Sequence, residues 1–450
     1  MSNEEYDREL LRTLDSAKCI FGEKYGLANK KYVAKLSKLT LGDENNSFEF
    51  GNIIPMYKTK VSNTNNKIWD GGGCSLDKTR SEMKAYGEFI ERYCGDYFLD
   101  KNDFIFESYS NLKKNKKCLS LKELIHFEEN AYYNNTIRYH KYNDELPISW
   151  VEGVDIVKDE SIFIPAQKVF LRIKLKPTEK LYLQWLSTGL ACGSSFEMAL
   201  LGGIFEVVER DSFMLTWQLC LPGKKIIIDK IRNKNLKKIF NHITKNINGN
   251  DQLYIYDISR TEGIYTVCTF IKNNSKNSFG LIVSAASDID IEKALIKSLE
   301  ELCMTQSFAY EKWFNLKNEK KQQILIEDVE NLHNHTLYYG SGERSDIINF
   351  ISKTKETILL SSMKCFCEGN DKDKLNYIKE LFRKMNRSIY AVDVTKKEIK
   401  NLGFRVVKSI ISDYNDLEVS HSCRLTNNKR LLKYKEDYKK QINDEPHPFP

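Results

Sequence analysis

The stretch that decides the fold runs from Ser187 to Trp217 and reads STGLACGSSFEMALLGGIFEVVERDSFMLTW. It begins as a loop in which Gly189 and Gly193 allow the backbone to approach a ligand closely. Ser194 followed by Glu197 is the pattern of a capping box, which predicts that a helix begins there.

The predicted helix has two different faces. Apolar side chains that would face the core repeat along one of them: Leu201, Ile204 and Val208. The other face carries small residues followed by charged ones: Ala199, Gly202, Glu206, Glu209 and Arg210. Two carboxylates three residues apart repel each other unless a cation lies between them. A solvated acidic face is the alternative interpretation of this stretch taken alone.

A second segment repeats this arrangement near residue 80. The Gly-rich run Gly71–Ser75 leads into a predicted helix over residues 79–98. Three charged side chains share one face of that helix: Lys84, Glu88 and Glu91. The unit Glu-x-x-Glu-Arg therefore occurs twice, as EFIER at 88–92 and as EVVER at 206–210. Two copies favour a shared binding site over a solvated face.

Composition limits the classes of protein to which this chain can belong. The 450 residues are 41% hydrophobic and 12% aromatic, which is typical of a globular protein. The 69 basic and 62 acidic residues give a mixed surface, and no basic block is interleaved with aromatics, so we expect no nucleic-acid partner. No signal sequence and no membrane-spanning apolar run is recognised, and 11 Cys without a Cys-x-x-Cys pair indicate reduced thiols. A cytoplasmic location without membrane attachment is expected.

The chain is predicted to comprise an N-terminal accessory segment over residues 1–50 and a main domain over residues 51–450. Residues 100–150 are a polar, Lys-rich insertion with a short predicted helix at 121–130. The elements predicted downstream are strands at 253–258, 265–271 and 280–284, a helix at 291–308, and a helix–strand–helix–strand run at 374–412. In that run Thr395–Glu398 is a predicted capping box.

The end of the sequence, EPHPFP at 445–450, places proline at every second residue. Pro446, Pro448 and Pro450 enforce an extended conformation and remove three backbone donors. A disordered tail is one interpretation, and a preformed insert for a groove is the other. His333 and His335 are two residues apart, which is not the spacing of a metal pair on a helix, so we expect a structural role for them.

The two Glu-x-x-Glu-Arg units indicate a cationic ligand. Four carboxylates with Arg92 and Arg210 cannot surround an apolar substrate without a large desolvation cost. They suit a magnesium-bound polyphosphate, because Mg²⁺ takes carboxylate and phosphate oxygens and arginine donates to phosphate. The P-loop, kinase and dinucleotide motifs are missing from the sequence. The residues therefore predict a nucleotide site carried on helices.

These residues resemble the YcaO family. The resemblance lies in five segments, namely 84–94, 187–217, 294–301, 389–411 and the Pro-x-Pro-x-Pro end. It implies an α+β fold with mixed β-sheets, in which helices carry the ATP site and the two Glu-x-x-Glu-Arg units form a pseudo-repeat. The proline-rich end resembles the azoline-forming cyclodehydratase branch, which includes discrete subunits for thiazole/oxazole-modified microcin biosynthesis.

The resemblance also implies roles for individual residues, with ATP and Mg²⁺ as cofactors. The magnesium ligands would be Glu88, Glu91, Glu206 and Glu209. The ATP contacts would be Lys84, Arg92, Ser187, Thr188, Arg210 and Glu301. The catalytic tail residues would be Pro446, Pro448 and Pro450. Met304 stands where relatives often carry Gln, and Gln306 is the candidate substitute.

The implied activity is ATP-dependent conversion of Cys, Ser or Thr in a ribosomally made precursor peptide to thiazoline or (methyl)oxazoline rings, with phosphorylation of the backbone amide oxygen. The alternatives are an ATP-dependent thioamide-forming enzyme and a non-catalytic ATP-binding scaffold. A fused recruiting domain with zinc cysteines is not recognised, so an activating-enzyme-like partner is expected to bind the leader peptide. A flavin-dependent azoline dehydrogenase and a homodimer within a larger complex are further expectations.

Overall fold

The computed structural model describes residues 3–22, 26–41, 48–63, 69–97, 104–133, 139–247, 251–273, 279–318, 324–340 and 342–449. Its α-helices are α1 (Asn3–Lys18), α2 (Lys78–Gly95), α3 (Tyr109–Leu112), α4 (Ala166–Val169), α5 (Phe196–Gln218), α6 (Lys234–Asn246), α7 (Ile291–Asn318), α8 (Leu332–Tyr338), α9 (Asp371–Lys384), α10 (Lys397–Asn401) and α11 (Lys429–Asp437). Short 3₁₀ helices lie at Leu121–Glu123, Glu129–Tyr133, Ile326–Asp328, Gly342–Lys353 and Leu360–Ser362.

The strands are β1 (Lys30–Leu41), β2 (Phe48–Ser62), β3 (Asp70–Ser75), β4 (Asp96–Tyr97), β5 (Ile105–Ser108), β6 (Pro147–Asp155), β7 (Glu160–Pro165), β8 (Arg172–Ile173), β9 (Leu190–Gly193), β10 (Lys224–Ile227), β11 (Gln252–Asp257), β12 (Tyr265–Lys272), β13 (Leu281–Asp288), β14 (Thr357–Leu359), β15 (Tyr390–Asp393) and β16 (Arg405–Ile410). They form sheets with the orders β1-β2-β3, β13-β12-β11-β10-β14, β5-β6-β15-β16-β9 with β7 on β6, and β4-β8. Both parallel and antiparallel pairs occur. The predicted α+β class with mixed sheets is confirmed.

The two Glu-x-x-Glu-Arg units share one local architecture, a short strand followed by a long helix. In the first, β3 packs so tightly on α2 that a Cβ at Gly73 would lie 2.0 Å from the Ser81 carbonyl oxygen. In the second, the Gly189 turn before β9 meets α5, and a Cβ at Gly203 would lie 2.4 Å from the Gly189 carbonyl oxygen. Glycine at these positions therefore lets each helix approach its own strand.

Helix α5 begins one residue later than the capping box predicts. Ser195 is the N-cap, and its hydroxyl accepts a hydrogen bond from the Met198 backbone N–H at 3.0 Å. Ser195 has the extended backbone that an N-cap requires. The Ser194 hydroxyl lies instead beside the Met198 sulfur, so the predicted cap at Ser194 is wrong by one residue.

Helix α5 is also buried on more than the one predicted face. Ile204 and Val208 pack in one core cluster, which includes residues of α9 and β16. Phe213 and Trp217 pack in another, which includes residues of β12 and β13. Because the helix lies between two cores, it is apolar around most of its circumference, as expected for a central helix.

Most of the other predicted helices and strands are present, although they begin or end at different residues. The three predicted strands near 253–284 are β11, β12 and β13, the predicted helix at 291–308 is α7 and extends to Asn318, and the predicted run at 374–412 is α9, β15, α10 and β16. The predicted helix at 121–130 is wrong, because only two separate 3₁₀ turns form there. The predicted capping box at Thr395 is also wrong, because the Thr395 hydroxyl accepts from the Val406 N–H at 2.8 Å.

The predicted division at residue 50 falls inside β2, which pairs with β1 on one side and β3 on the other. Leu14 and Ala17 of α1 lie in the same core cluster as Ala85 and Phe89 of α2. The N-terminal segment and the main domain therefore share a sheet and a core. No helix within the described ranges is long and apolar enough to span a bilayer.

Candidate functional site

The first Glu-x-x-Glu-Arg unit fixes Glu88 from two sides. Its Oε2 accepts a hydrogen bond from the Gly72 N–H at 2.7 Å, and its Oε1 accepts one from Arg92 Nη2 at 2.5 Å. Arg92 Nη1 also contacts Asp70 Oδ1 at 2.5 Å. Asp70 was not among the predicted site residues, although its position directly before the Gly-rich run was a usable signal. Arg92 is therefore held between two carboxylates.

The second unit repeats this geometry around Glu206. Its Oε2 accepts a hydrogen bond from the Gly189 N–H at 3.0 Å, and its Oε1 accepts one from Arg210 Nη2 at 3.4 Å. Arg210 Nε lies 3.2 Å from Glu209 Oε1, without hydrogen-bond geometry. Arg210 Nη1 and Glu209 Oε1 are both buried and have no hydrogen-bond partner in the described part of the chain.

Carboxylates from α2, α5 and α7 meet at one place, and we call them the acidic cluster: Glu88, Glu91, Glu206, Glu209 and Glu301. Burial raises the pKa of Glu91 well above its ordinary value, and the charges of Glu206 and Glu88 raise it further. Burial likewise raises the pKa of Glu209, with added repulsion from Glu301 and Glu206. Such mutual repulsion is relieved when a cation binds among the carboxylates. The two helices predicted to share a site do bring their glutamates together.

Helix α7 contributes two adjacent glutamates to this region. Glu301 Oε2 accepts a hydrogen bond from the Ser284 hydroxyl at 3.3 Å. Glu300 forms a salt bridge of 2.5 Å with Lys84 and accepts a hydrogen bond of 2.8 Å from the Ser75 hydroxyl. Glu300 was not predicted as a site residue, because in the sequence it has the pattern of an exposed glutamate next to Glu301. It holds Lys84, a predicted ATP contact, at the edge of the cluster.

Lys297 is a further cation that the sequence did not single out. It lies one helical turn before Glu301, and its Nζ contacts Asp288 Oδ2 at 2.8 Å. Burial lowers its pKa, but Asp288 and, less strongly, Glu209 and Glu301 outweigh this and raise it. Its spacing of four residues from Glu301 on a helix was the available signal. Lys297 therefore adds a positive charge beside the carboxylates.

Met304 and Gln306 have different surroundings. A Cβ at Gly72 would lie 2.4 Å from the Met304 methyl carbon, so Met304 packs over the Gly72 backbone that holds Glu88. Gln306 is buried, and its Oε1 accepts a hydrogen bond from the Ile54 N–H at 3.1 Å. Gln306 is engaged with strand β2 and does not replace a glutamine at position 304.

Ser187 and Thr188 lie on the tight turn before β9. The Ser187 carbonyl accepts a hydrogen bond from the Leu190 N–H at 2.7 Å, and Gly189 has a φ of +83°. The Gly189 carbonyl accepts from the Ser409 N–H at 2.7 Å, which ties the turn to β16. This turn places the two predicted ATP contacts next to the N–H that holds Glu206. Thr188 itself is buried.

A buried lysine supports the turn that contains Ser187 and Thr188. Lys408 of β16 donates from Nζ to the Leu186 carbonyl at 2.8 Å. Burial, together with the nearby charge of Lys168, lowers the pKa of Lys408 to about 7. A lone lysine on a strand gives no sequence signal for this role, which depends on how β16 pairs with β9.

The proline-rich tail packs against α5. The Phe449 ring lies 4.7 Å from the Phe213 ring and 4.3 Å from the Arg210 guanidinium carbon. His447 and Phe449 are buried, and the Pro446 carbonyl accepts a hydrogen bond from the Tyr339 hydroxyl at 2.5 Å. Residues 446–449 therefore occupy a groove beside Arg210. Pro450, one of the predicted catalytic residues, lies outside the described residues.

Buried neutral histidines lie around this groove. Burial lowers the pKa of His335 to about 3, and its ring stacks on that of His447 at 3.9 Å. Burial, with the neighbouring His335 ring, also lowers the pKa of His447. Arg424 and Arg210 are the charged groups that face this pair, and the titratable ring of His421 faces it as well. The structural role predicted for His335 agrees with this packing.

We expect His335→Asn to reduce the loss of stability on acidification. The lowered pKa means that the unfolded chain takes up a proton below about pH 6.5 while folded His335 stays neutral, so stability falls as pH falls. One such histidine is worth about 2 kcal/mol between pH 7.5 and 5.0. The free energy of unfolding from urea denaturation at both pH values measures it. Buried glutamates with raised pKa values, such as Glu91 and Glu209, gain stability as pH falls and so oppose the effect of the histidine. The loss of stability in the variant is therefore compared with the loss in the wild type. An equal loss in both proteins would contradict the expectation.

The site fits magnesium-bound ATP. Carboxylate oxygens are hard ligands that suit Mg²⁺, and the unpartnered Arg210 Nη1 suits a phosphate oxygen. The described residues contain no group of three or more His, Cys, Asp or Glu side chains arranged to hold a bare metal ion. Mg²⁺ usually takes one or two carboxylates together with phosphate oxygens. A Mg²⁺ ion bound to a polyphosphate would offset the negative charge of the acidic cluster, and the polyphosphate would give Arg210 an oxygen to which it can donate.

Comparison with solved structures shows the same fold. A heterocyclase in complex with substrate and cofactor superposes with a TM-score of 0.73 at 16% identity, over 98% of this chain and 57% of that one. The YcaO protein of Methanopyrus kandleri bound with AMPPCP and Mg²⁺ gives 0.59 at 15% identity, over 92% of each chain. The E. coli microcin synthetase McbBCD complex with pro-MccB17 bound gives 0.55 at 16% identity, over 84% of this chain and 91% of that one.

This chain spans a little over half the length of the first of these structures. No curated protein matches its sequence. A family model described as YcaO cyclodehydratase, ATP- and Mg²⁺-binding, matches residues 72–414, which include both Glu-x-x-Glu-Arg units, the 187–189 turn and Glu301. ATP and Mg²⁺ are thus the cofactors of this chain. With this match over most of its length, the chain belongs to the YcaO family.

Proposed function

We propose that this protein is an ATP-dependent cyclodehydratase that converts Cys, Ser or Thr of a ribosomally made precursor peptide to thiazoline or (methyl)oxazoline rings. The observation that carries the proposal is the meeting of the two Glu-x-x-Glu-Arg helices, where Arg210 Nη1 and Glu209 Oε1 are buried without a hydrogen-bond partner in the described part of the chain. The match to a family of cyclodehydratases gives the reaction class.

The acidic cluster has the task of holding the nucleotide. Glu88, Glu91, Glu206 and Glu209 are proposed to hold Mg²⁺, each at a position set by its own helix. Lys84, Arg92, Ser187, Thr188, Arg210 and Glu301 are the proposed ATP contacts. The backbone N–H groups of Gly72 and Gly189 fix the first glutamate of each unit before a ligand arrives. Fixed charges of this kind cost little reorganisation during the reaction.

Ring formation requires a base and a leaving group. The substrate thiol or hydroxyl attacks the preceding backbone carbonyl carbon and loses its proton, and the amide nitrogen later loses its proton as the C=N bond forms. ATP held at this site would supply the phosphoryl group, with ADP as the leaving group, so that the amide oxygen departs as phosphate. The tail residues Pro446, Pro448 and Pro450 are proposed to orient the attacking side chain or accept its proton. Phe449 beside Arg210 supports this placement.

The proposed partners follow from the substrate class. A leader-peptide-binding, activating-enzyme-like protein is proposed to recruit the precursor, and a flavin-dependent dehydrogenase is proposed to oxidise the rings. A homodimer within a larger complex is proposed for this subunit. Two of the similar folds come from a heterocyclase solved with substrate and from the microcin synthetase complex, which supports a peptide substrate and partner proteins.

We expect the purified chain alone to modify precursor peptide slowly. Adding the leader-binding partner should raise the rate by about 10²-fold or more, because binding the leader holds the substrate at the site and removes the entropy cost of a bimolecular encounter. Mass spectrometry of the peptide, with a leaderless peptide as control, measures the loss of one water per ring. Complete processing of the full precursor by the chain alone would contradict this expectation.

The same experiment separates the alternatives. Exchange of an amide oxygen for sulfur, seen as a gain in mass when a sulfide source is present, would identify a thioamide-forming enzyme. ATP binding without any peptide-dependent phosphate release, with the partner present, would identify a non-catalytic scaffold.

A further inference from the structure

Three successive carbonyl groups of the tail each accept a hydrogen bond from a different side chain. The Glu445 carbonyl accepts from Trp217 Nε1 at 3.0 Å, the Pro446 carbonyl from the Tyr339 hydroxyl at 2.5 Å, and the His447 carbonyl from His335 Nδ1 at 2.9 Å. All three donor side chains are buried. We call Trp217, Tyr339 and His335 the carbonyl clasp.

The chemistry of the tail explains why carbonyl groups are the contacts. Pro446 and Pro448 have no backbone N–H, so the tail cannot pair as a regular β-strand. Its carbonyl oxygens are therefore the main backbone groups through which other side chains can hold the tail by hydrogen bonds. Because the His335 contact is to a carbonyl oxygen, Nδ1 must carry the proton, and His335 acts as a donor in one tautomer.

The clasp is joined to the acidic cluster by a single helix. Trp217 lies on α5 seven residues after Arg210, which is two helical turns along nearly the same face. Tyr339 directly follows α8, which also carries His335. The Phe449 ring then lies under the Arg210 guanidinium. The clasp thus fixes the tail relative to the helix that carries Glu206 and Glu209.

We propose that Trp217, Tyr339 and His335 are positioning residues that hold the tail in one register, so that Phe449 lies against Arg210 beside the acidic cluster. A shift by one residue would move each donor to a different carbonyl and would move Phe449 off Arg210. Fixed proline φ angles keep the entropy cost of this docking small. The role of the positioned tail in ring formation rests on the proposed function, whereas the clasp itself does not.

The test uses the full chain with Tyr339→Phe and His335→Leu. Hydrogen–deuterium exchange at the backbone amides of residues 447 and 449, followed by mass spectrometry, reports tail release. Loss of one donor should speed exchange there about tenfold. His335→Asn, whose side-chain amide can replace the Nδ1–H donor, should restore much of the protection. Thr336→Val is the matched control on α8, because its buried hydroxyl has no hydrogen-bond partner among the described residues.

Faster exchange confined to the tail in Tyr339→Phe and His335→Leu, but not in Thr336→Val, would support the clasp. Unchanged tail exchange, or an equal increase over the whole chain that reports global unfolding, would overturn it. Ring formation is measured on the same proteins, and a lower kcat with an unchanged KM for ATP is expected. Released tails with full ring-forming activity would support the clasp and count against the tail's part in the proposed reaction.

Discussion

Glu91→Gln and Glu209→Gln will each abolish peptide-dependent phosphate release while leaving the fold intact. Both carboxylates lie in the acidic cluster, where burial and neighbouring glutamates raise their pKa values. Loss of one negative charge from a metal-bound phosphate site removes stabilisation on the order of several kcal/mol, far more than an exposed glutamate contributes. We therefore expect a rate loss of at least about 10²- to 10³-fold.

Phosphate release is measured with precursor peptide and partner present, and thermal unfolding checks the fold of each variant. Glu436→Gln is the control, since it makes the same chemical change at an exposed position on α11. A near-native rate in either Glu91→Gln or Glu209→Gln would show that these helices do not form the ATP site. A loss in Glu436→Gln as well would show that the assay responds to charge in general.

Extending the chain by two or three glycines after Pro450 will stop ring formation while ATP binding is largely kept. Residues 447 and 449 are buried beside α5, and Phe449 lies against Arg210, so we expect added residues to disturb this packing next to the acidic cluster. A loss of about 10²-fold or more in ring formation is expected, as for other well-positioned acid–base groups.

Ring formation and ATP affinity have to be measured separately on the extended protein. The same glycines added at the amino terminus are the control for a longer chain. If the extended protein forms rings at the wild-type rate, the tail has no catalytic role. If ATP affinity falls as far as ring formation does, the tail acts by supporting the nucleotide site instead.

The sequence predicted the two repeated units because their signals are local. Gly-rich turns, apolar periodicity and the Glu-x-x-Glu-Arg spacing all lie within about 30 residues, where backbone geometry alone sets which side chains share a face. Two of the errors concern the residue that caps a helix. Ser195 caps α5 in place of Ser194. The Thr395 hydroxyl accepts a hydrogen bond from the Val406 N–H and does not cap the helix that follows it. Competition between a local cap and a contact from another strand is not visible in the sequence.

By itself the sequence determined which helices carry carboxylates and that Pro446 and Pro448 offer no backbone N–H, because spacing and proline act within a few residues. Only the tertiary structure decided that Lys84 pairs with Glu300, 216 residues away, and that Lys408 supports the 187–189 turn. The same holds for the contact between Tyr339 and Pro446. Partners so distant in the chain are chosen by the packing of several elements at once, and the free energy of that packing belongs to the assembled core and not to any one segment.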